Sequence, residues 1–320
     1  MASEEILGEE DPFDGLVIDD DFAKGGVHEP PAGTRKATAR DGGGQTSWRH
    51  PIAPVARPVR SHHPGFVRRA LGVSWIFVAL VALFAAAGWA SWGNSSRLLV
   101  FVFVVSGWLV SLCLHEFSHA LVAYWGGDRS VEVKGYLTLD IRRYGHPAYT
   151  FLVPALFVLL GGIGLPGGAV WIEQASLRSR RWRTLTSLAG PAANLLCAAA
   201  CLVPFSAING IQFVVGPHLS FWAGLAFLGL LQMWAVVLNL LPIPGLDGWG
   251  AIEPYLPSHI VAAGRKFSPF AIMLLFFVVV SAPAVSVHLS SVLQSGEARF
   301  GVPPGLAGWG NHLMRFWSLS

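Results

Sequence analysis

The chain has 320 residues, of which 53% are hydrophobic and only 13% are charged. This composition excludes an ordinary soluble enzyme and predicts a protein that crosses a membrane several times. The small net charge of +3 hides a strong segregation, because an acidic N-terminus is followed by a basic stretch rich in Pro and Gly.

Residues 1–65 are predicted to form a largely disordered cytoplasmic tail. Residues 1–22 carry nine acidic residues and no Lys or Arg, whereas the stretch from Lys24 to Arg69 is basic. Such a segment buries too little apolar surface to fold alone. Two interpretations stay open: a solvated tail, or a regulatory arm that senses a partner or the membrane surface. No secretory signal peptide is apparent, so Leu71–Ala90 is predicted to be an uncleaved anchor.

Several apolar runs approach the length of a spanning helix, which needs about 20 mostly apolar residues. The clear candidates are Leu71–Ala90, Leu98–Tyr124, Leu185–Phe205, Leu219–Leu241 and Pro269–Leu289. A sixth run, Ala148–Ile172, contains Gly161-Gly162 and Pro166-Gly167-Gly168, and such breaks favour a segment that re-enters the membrane. We therefore predict an all-α polytopic membrane protein with five to six transmembrane helices.

Arginine placement predicts the orientation in the cell membrane. Four arginines precede the first span and place the N-terminus in the cytoplasm: Arg57, Arg60, Arg68 and Arg69. The second span then ends on the cytoplasmic side. We predict that the membrane domain covers residues 66–294 and that residues 295–320 form a C-terminal tail.

The segment His115-Glu116-Phe117-Ser118-His119 lies inside the second span. On a helix, His115 and His119 project from one face and can share one metal ion, and Glu116 can reach a metal-bound water as general base. Because these groups are costly to place in lipid, a zinc ion and a water-filled pocket are expected to offset the cost. The alternative is a satisfied polar cluster without metal.

The stretch Val131–Ile141 follows the second span, and its apolar residues alternate with more polar ones. This period of two predicts a short strand or hairpin at the membrane surface, beside the proposed metal site. Further along, Asn194 closes the stretch Ala189–Asn194, whose small residues are explained most simply by close helix packing.

A third metal ligand is expected, because catalytic zinc usually has three protein ligands and one open position. Asp247 is the best candidate: it follows a break rich in Pro and Gly at the inward end of the fourth clear span, at the depth of both histidines. The alternative is a helix-terminating turn with an interfacial Asp. Asn239 could bind a substrate backbone or join two helices.

Three motifs in this order resemble the site-2 protease family, the intramembrane zinc metalloproteases. They are His115-Glu116-x-x-His119, Ala189-Gly190-Pro191-Ala192-x-Asn194, and Asn239-x-x-Pro242 followed by Asp247-Gly248. The resemblance implies that His115, His119 and Asp247 bind one zinc ion per chain and that Glu116 is the catalytic base. It also implies that Asn239 and Asn194 position the substrate, and that the Val131–Ile141 region is a docking edge.

The predicted function is hydrolysis of peptide bonds in or near transmembrane segments, that is, regulated intramembrane proteolysis. The expected partners are single-pass membrane-protein substrates, the lipid bilayer and a regulatory partner at the N-terminal tail; no nucleic-acid partner is expected. One alternative is a catalytically inactive zinc-binding scaffold of the same fold. Another is a transporter, for which internal repeats are expected and no clear repeat is found.

Overall fold

The computed structural model describes residues 72–144, 170–207, 216–281 and 283–317. Within these ranges the chain is helical and contains no strand. The helices are α1 (Trp75–Gly93), α2 (Arg97–Gly126), α3 (Ser130–Val133), α4 (Arg180–Ala207), α5 (Leu219–Asn239), α6 (Asp247–Ile252), α7 (Ser258–Ser281), α8 (Pro283–Ala298) and α9 (Leu306–Met314). The predicted N-terminal tail and residues 148–169 of the predicted re-entrant segment lie outside the described residues.

Four of the five clear span predictions correspond to single long helices. Helices α1, α2, α4 and α5 are long and apolar enough to cross a membrane. The fifth prediction, Pro269–Leu289, covers the end of α7 at Ser281 and the start of α8 at Pro283, and residue 282 between them lies outside the described residues.

Helix α5 lies at the centre of the core, in contact with α2, α4 and α9. Its buried residues point in every direction around the axis, as expected of a helix surrounded by other helices. Glycines permit the close approach: a Cβ at Gly229 would lie 2.5 Å from the Leu202 side chain of α4. In the segment predicted as a C-terminal tail, Leu306, Leu313 and Met314 are buried in the same apolar cluster.

The predicted strand over Val131–Ile141 is wrong. This stretch contains α3 and two 3₁₀ turns, Tyr136–Thr138 and Ile141–Arg143. Gly135 and Leu139 have positive φ angles of 74° and 52°, which break an extended run. Asp140 caps the second turn by accepting the Arg142 N–H at 3.1 Å. The alternating apolar residues therefore lie in short turns, which bury only some of their side chains.

Candidate active site

The C-terminal half of α2 and the first residue of α6 bring three metal-binding side chains together. His115 and His119 lie one turn apart on α2, and both are buried. Their Nε2 atoms are 3.1 Å apart. Asp247 completes the group, with Oδ2 3.4 Å from His115 Nε2 and Oδ1 3.3 Å from His119 Nε2. Residues separated by 128 positions in sequence therefore meet as the candidate metal site.

The spacing of the donor atoms fits a tetrahedral ion. Zinc bonds to nitrogen and carboxylate oxygen are about 2.0–2.1 Å long, so two ligands at a tetrahedral angle are separated by about 3.3 Å. The two Nε2 atoms are 3.1 Å apart, close to this value, and each lies 3.3 or 3.4 Å from a different oxygen of Asp247, so the carboxylate is within reach of the same ion. Asp247 Oδ2 is also buried without a hydrogen-bond partner among the described residues, as expected of an oxygen that binds a cation.

Hydrogen bonds to the other ring nitrogens fix both histidines. His119 Nδ1 donates to the main-chain oxygen of Thr186 at 2.7 Å, and His115 Nδ1 donates to Asn194 Oδ1 at 3.2 Å. Because a main-chain oxygen can only accept, Nδ1 of His119 carries the hydrogen, and Nε2 of the neutral ring presents a lone pair. Two lone pairs at 3.1 Å repel each other unless a cation lies between them, so this donor set fits a metal ion.

The turn before α6 positions Asp247. Gly245 has a φ of 100°, a left-handed conformation that glycine adopts without strain. A Cβ at Gly248 would collide with the main-chain oxygens of Leu240 and Leu241, so only glycine lets α6 start this close to the end of α5.

A cavity of about 330 Å³ opens beside these ligands. Glu116 lines it, and Glu116 Oε2 accepts the Val170 N–H at 3.1 Å. Asn239 also lines the cavity, and its Nδ2 has no hydrogen-bond partner in the described part of the chain. The candidate metal ligands, the Glu116 carboxylate and the Asn239 amide therefore line one cavity, whose volume is in the range of ligand-binding pockets.

Gly190 on α4 leaves the space that the His115 and His119 rings occupy beside that helix. A Cβ at this position would lie 2.6 Å from His115 Nε2 and even closer to His119 Nε2. Sequence reasoning assigned the small residues of Ala189–Asn194 to helix packing. The Gly-Pro pair was a visible signal, but the sequence could not show that the packed surface is the ligand face of α2.

The two predicted substrate-positioning residues lie in different places. Asn239 lines the cavity, whereas Asn194 contacts His115 and is not among the residues that line the cavity. Two contributors were not predicted from sequence: Thr186, which acts through its main-chain oxygen, and Val170, which acts through its N–H. Main-chain groups leave no residue-type signal, so no sequence pattern could have identified them.

The chain is similar to proteins named as metalloproteases. Over 262 residues, or 79% of its length, it is 44% identical to "Putative zinc metalloprotease Rip2" of Mycobacterium tuberculosis, and the match covers 97% of that protein. It is 41% identical over 258 residues to the protein of the same name in Mycolicibacterium smegmatis, also with 97% covered. It is 28% identical over 201 residues to "Putative zinc metalloprotease YwhC" of Bacillus subtilis, covering 59% of this chain and 84% of the relative.

No family model matches the chain, and no solved structure matches it.

Proposed function

The chain belongs to the site-2 protease family of zinc metalloproteases, and from this premise we propose that it hydrolyses peptide bonds in or near transmembrane segments of other membrane proteins. One observation carries the proposal: His115, His119 and Asp247 converge at the buried end of a helix long enough to span a membrane. Polar groups buried at such a place are energetically costly, and where they occur they usually mark a functional site.

His115, His119 and Asp247 would hold one zinc ion per chain. When bound, zinc polarises a carbonyl oxygen and makes a water molecule acidic enough to lose a proton near neutral pH. Asn194 and Thr186 keep the two imidazoles oriented by accepting their Nδ1 hydrogens. Such partners raise the basicity of the ligands and limit their rotation.

Glu116 would act as general base and then as general acid. Its carboxylate accepts the proton of the attacking water and later gives a proton to the leaving amine. The Val170 N–H holds one carboxylate oxygen and limits rotation of the side chain. Glu116 thereby stays beside the ligand atoms instead of turning away from the cavity.

Asn239 would position the substrate. The residue lines the cavity, and its Nδ2, which has no partner among the described residues, can donate to a main-chain oxygen of the peptide once the side chain turns toward it. A transmembrane helix hides its peptide groups in internal hydrogen bonds, so the substrate must unwind locally before it reaches this cavity. Single-pass proteins are the substrates we expect, in a cell membrane where this chain has a cytoplasmic N-terminus.

The test is cleavage of a model transmembrane substrate by the purified protein in detergent, with zinc content measured on the same samples. We expect Glu116→Gln to reduce the rate by about 10²–10⁴, the usual contribution of a general base, while zinc stays bound. Glu297→Gln is the matched control: it makes the same change at another buried glutamate, on α8 and outside the cavity lining, and should leave the rate unchanged.

Chelator treatment should abolish cleavage of the wild-type protein, and added zinc should restore it. Zinc bound without cleavage of any tested substrate would favour the inactive scaffold. Cleavage by Glu116→Gln at the wild-type rate would exclude Glu116 as the base. Absence of zinc would exclude the ligand assignment itself.

A further inference from the structure

A second, larger cavity lies between α1, α2, α4 and α5. Its volume is about 560 Å³, within the range of cavities that enclose small organic ligands. It shares no lining residue with the cavity at the metal site. Its wall is almost wholly apolar and includes aromatic rings at Phe84, Trp89, Phe103 and Phe221. No charged side chain of the described residues lines it.

One buried amide interrupts this apolar wall. Gln232 of α5 is 1% exposed, and its Nε2 donates to Ser111 Oγ at 2.7 Å. Ser111 Oγ in turn donates to the main-chain oxygen of Trp108 at 2.7 Å. Gln232 Oε1 ends this chain and has no hydrogen-bond partner in the described ranges. A buried acceptor without a partner is unfavourable and uncommon in native proteins.

Rotating the amide group of Gln232 by 180° does not supply the missing hydrogen-bond partner. If the oxygen and nitrogen of Gln232 exchange places, Ser111 can donate to the oxygen, but the NH₂ group then lacks an acceptor. In either orientation, one polar atom of Gln232, a residue of the cavity wall, needs a partner. A hydroxyl group satisfies both cases, because it donates and accepts.

The cavity opens on the outer surface of the helices. Trp89 lines it and is 83% exposed, and Ala200 on α4 also lines it and is exposed. Both residues belong to helices long enough to span a membrane, so we expect this opening to face the acyl chains of a bilayer. Trp92 lines the cavity as well and stacks on the His218 ring at 4.0 Å.

We propose that this cavity binds a neutral lipid alcohol, whose hydroxyl group pairs with Gln232 and whose hydrocarbon fills the aromatic pocket. A charged headgroup is excluded by the absence of any charged lining residue to pair with it. A plain hydrocarbon would fill the volume but would leave the amide unpaired. The proposal does not depend on the proteolytic function.

The experiment compares two probes, bromododecanol and bromododecane, added to the full chain in lipid nanodiscs. Bromine quenches indole fluorescence, and Trp89 and Trp92 line the cavity. Empty nanodiscs give the membrane partitioning of each probe, so that binding is compared at equal concentration in the bilayer. We expect the alcohol to bind about two- to tenfold more tightly than the alkane, the ratio that one hydrogen bond provides.

Two variants test the position of the alcohol. Gln232→Leu should bind both probes equally, because the amide is gone while the apolar volume remains. Ala200→Phe should remove the saturable quenching by both probes, because the new ring enters the cavity from an exposed position where it displaces no core side chain. Its residual signal measures quenching of indoles elsewhere in the bilayer. Zinc content, unchanged in both variants, verifies that the fold is retained.

Equal affinity of the wild-type protein for alcohol and alkane would overturn the proposal and leave a crevice filled by ordinary acyl chains. An alcohol preference that survives Gln232→Leu would also overturn it, because the hydroxyl would then bind elsewhere. Saturable quenching that persists in Ala200→Phe would place the probe outside this cavity.

Discussion

The two halves of α2 are equally buried but are stabilised differently. In the N-terminal half, Val100, Phe103 and Val104 are at most 2% exposed and pack in an apolar cluster with α5. In the C-terminal half, His115, Glu116 and His119 are at most 6% exposed, and each has a specific polar partner. Burial alone therefore does not distinguish a structural from a functional segment; the type of partner does.

The difference has a physical basis. Apolar packing is non-directional and tolerates small adjustments, at a cost in stability. A hydrogen-bonded metal site depends on the position of a few atoms, and a partial loss leaves buried polar groups unpaired. We therefore expect glycine substitutions on the helices that contact α2 to have different consequences. Beside the N-terminal half they should lower stability, and beside the C-terminal half they should prevent metal binding.

The largest contrast is expected from Gly190→Ala. The new methyl group would occupy space beside both Nε2 atoms, and the imidazoles cannot turn aside without breaking their bonds to Asn194 and Thr186. We expect loss of stoichiometric zinc and of activity, measured by metal analysis after purification.

The counterpart at the apolar end is Gly224→Ala. There the new Cβ would lie 3.0 Å from Phe103 and 3.4 Å from Val100. We expect a loss of about 1–3 kcal/mol in the free energy of unfolding, with zinc retained. If Gly190→Ala keeps its zinc, or if Gly224→Ala loses zinc while folded, the proposed difference between the halves is wrong.

A smaller effect is expected from Asn194→Ala. Without the acceptor for His115 Nδ1, the ring is free to rotate, and zinc affinity should fall about 10–100-fold. Competition with a chromophoric chelator measures this change. Asn194→Asp keeps an acceptor oxygen and is the control, which should retain most of the affinity. Equal loss in both variants would mean that Asn194 acts through helix packing.

A buried carboxyl outside α2 extends the comparison. Glu297 on α8 is 3% exposed, its Oε1 has no partner among the described residues, and burial raises its pKa from 4.5 to about 8. Because the pKa is higher in the folded than in the unfolded chain, the folded state binds the proton more tightly. Stability is therefore greatest below the unfolded pKa and falls as the pH rises toward 8.

Glu297→Gln should remove this pH dependence. We expect the wild-type free energy of unfolding to fall by up to about 1.4 kcal/mol for each pH unit within that interval, and the variant to stay flat. Thermal unfolding in detergent over the same pH range measures the difference. Parallel profiles for the two proteins would show that Glu297 is ionised without penalty in the fold.

The sequence predicted most of what depends on side-chain type. Apolar length identified α1, α2, α4 and α5, and the cost of polar groups in lipid pointed to His115, Glu116 and His119. The need for a third ligand pointed to Asp247. The Val131–Ile141 prediction failed because alternation of apolar residues does not reveal left-handed backbone, and here Leu139 adopts it without being glycine.

What the sequence could not predict depends on the distance between helices. The role of Gly190 depends on how closely α4 approaches α2. The environment of Gln232 depends on a cavity among four helices. No local sequence pattern encodes the approach or the cavity. The sequence shows that these positions hold a small and a polar residue, but it does not show which groups of the neighbouring helices they face.

Helix α9 has a consequence for the order in which the chain folds. It covers Ala223 and Phe227 of α5 closely enough that Gly310 leaves no room for a methyl group. The ribosome makes α2, α5 and every proposed zinc ligand before it makes Leu306–Met314. Domains fold during synthesis from the N-terminal side. The part of the α5 surface that α9 covers therefore stays exposed until α9 has been synthesised. A nascent chain that stalls before this helix would carry all the proposed catalytic residues in an incomplete core, and we expect quality control to recognise it.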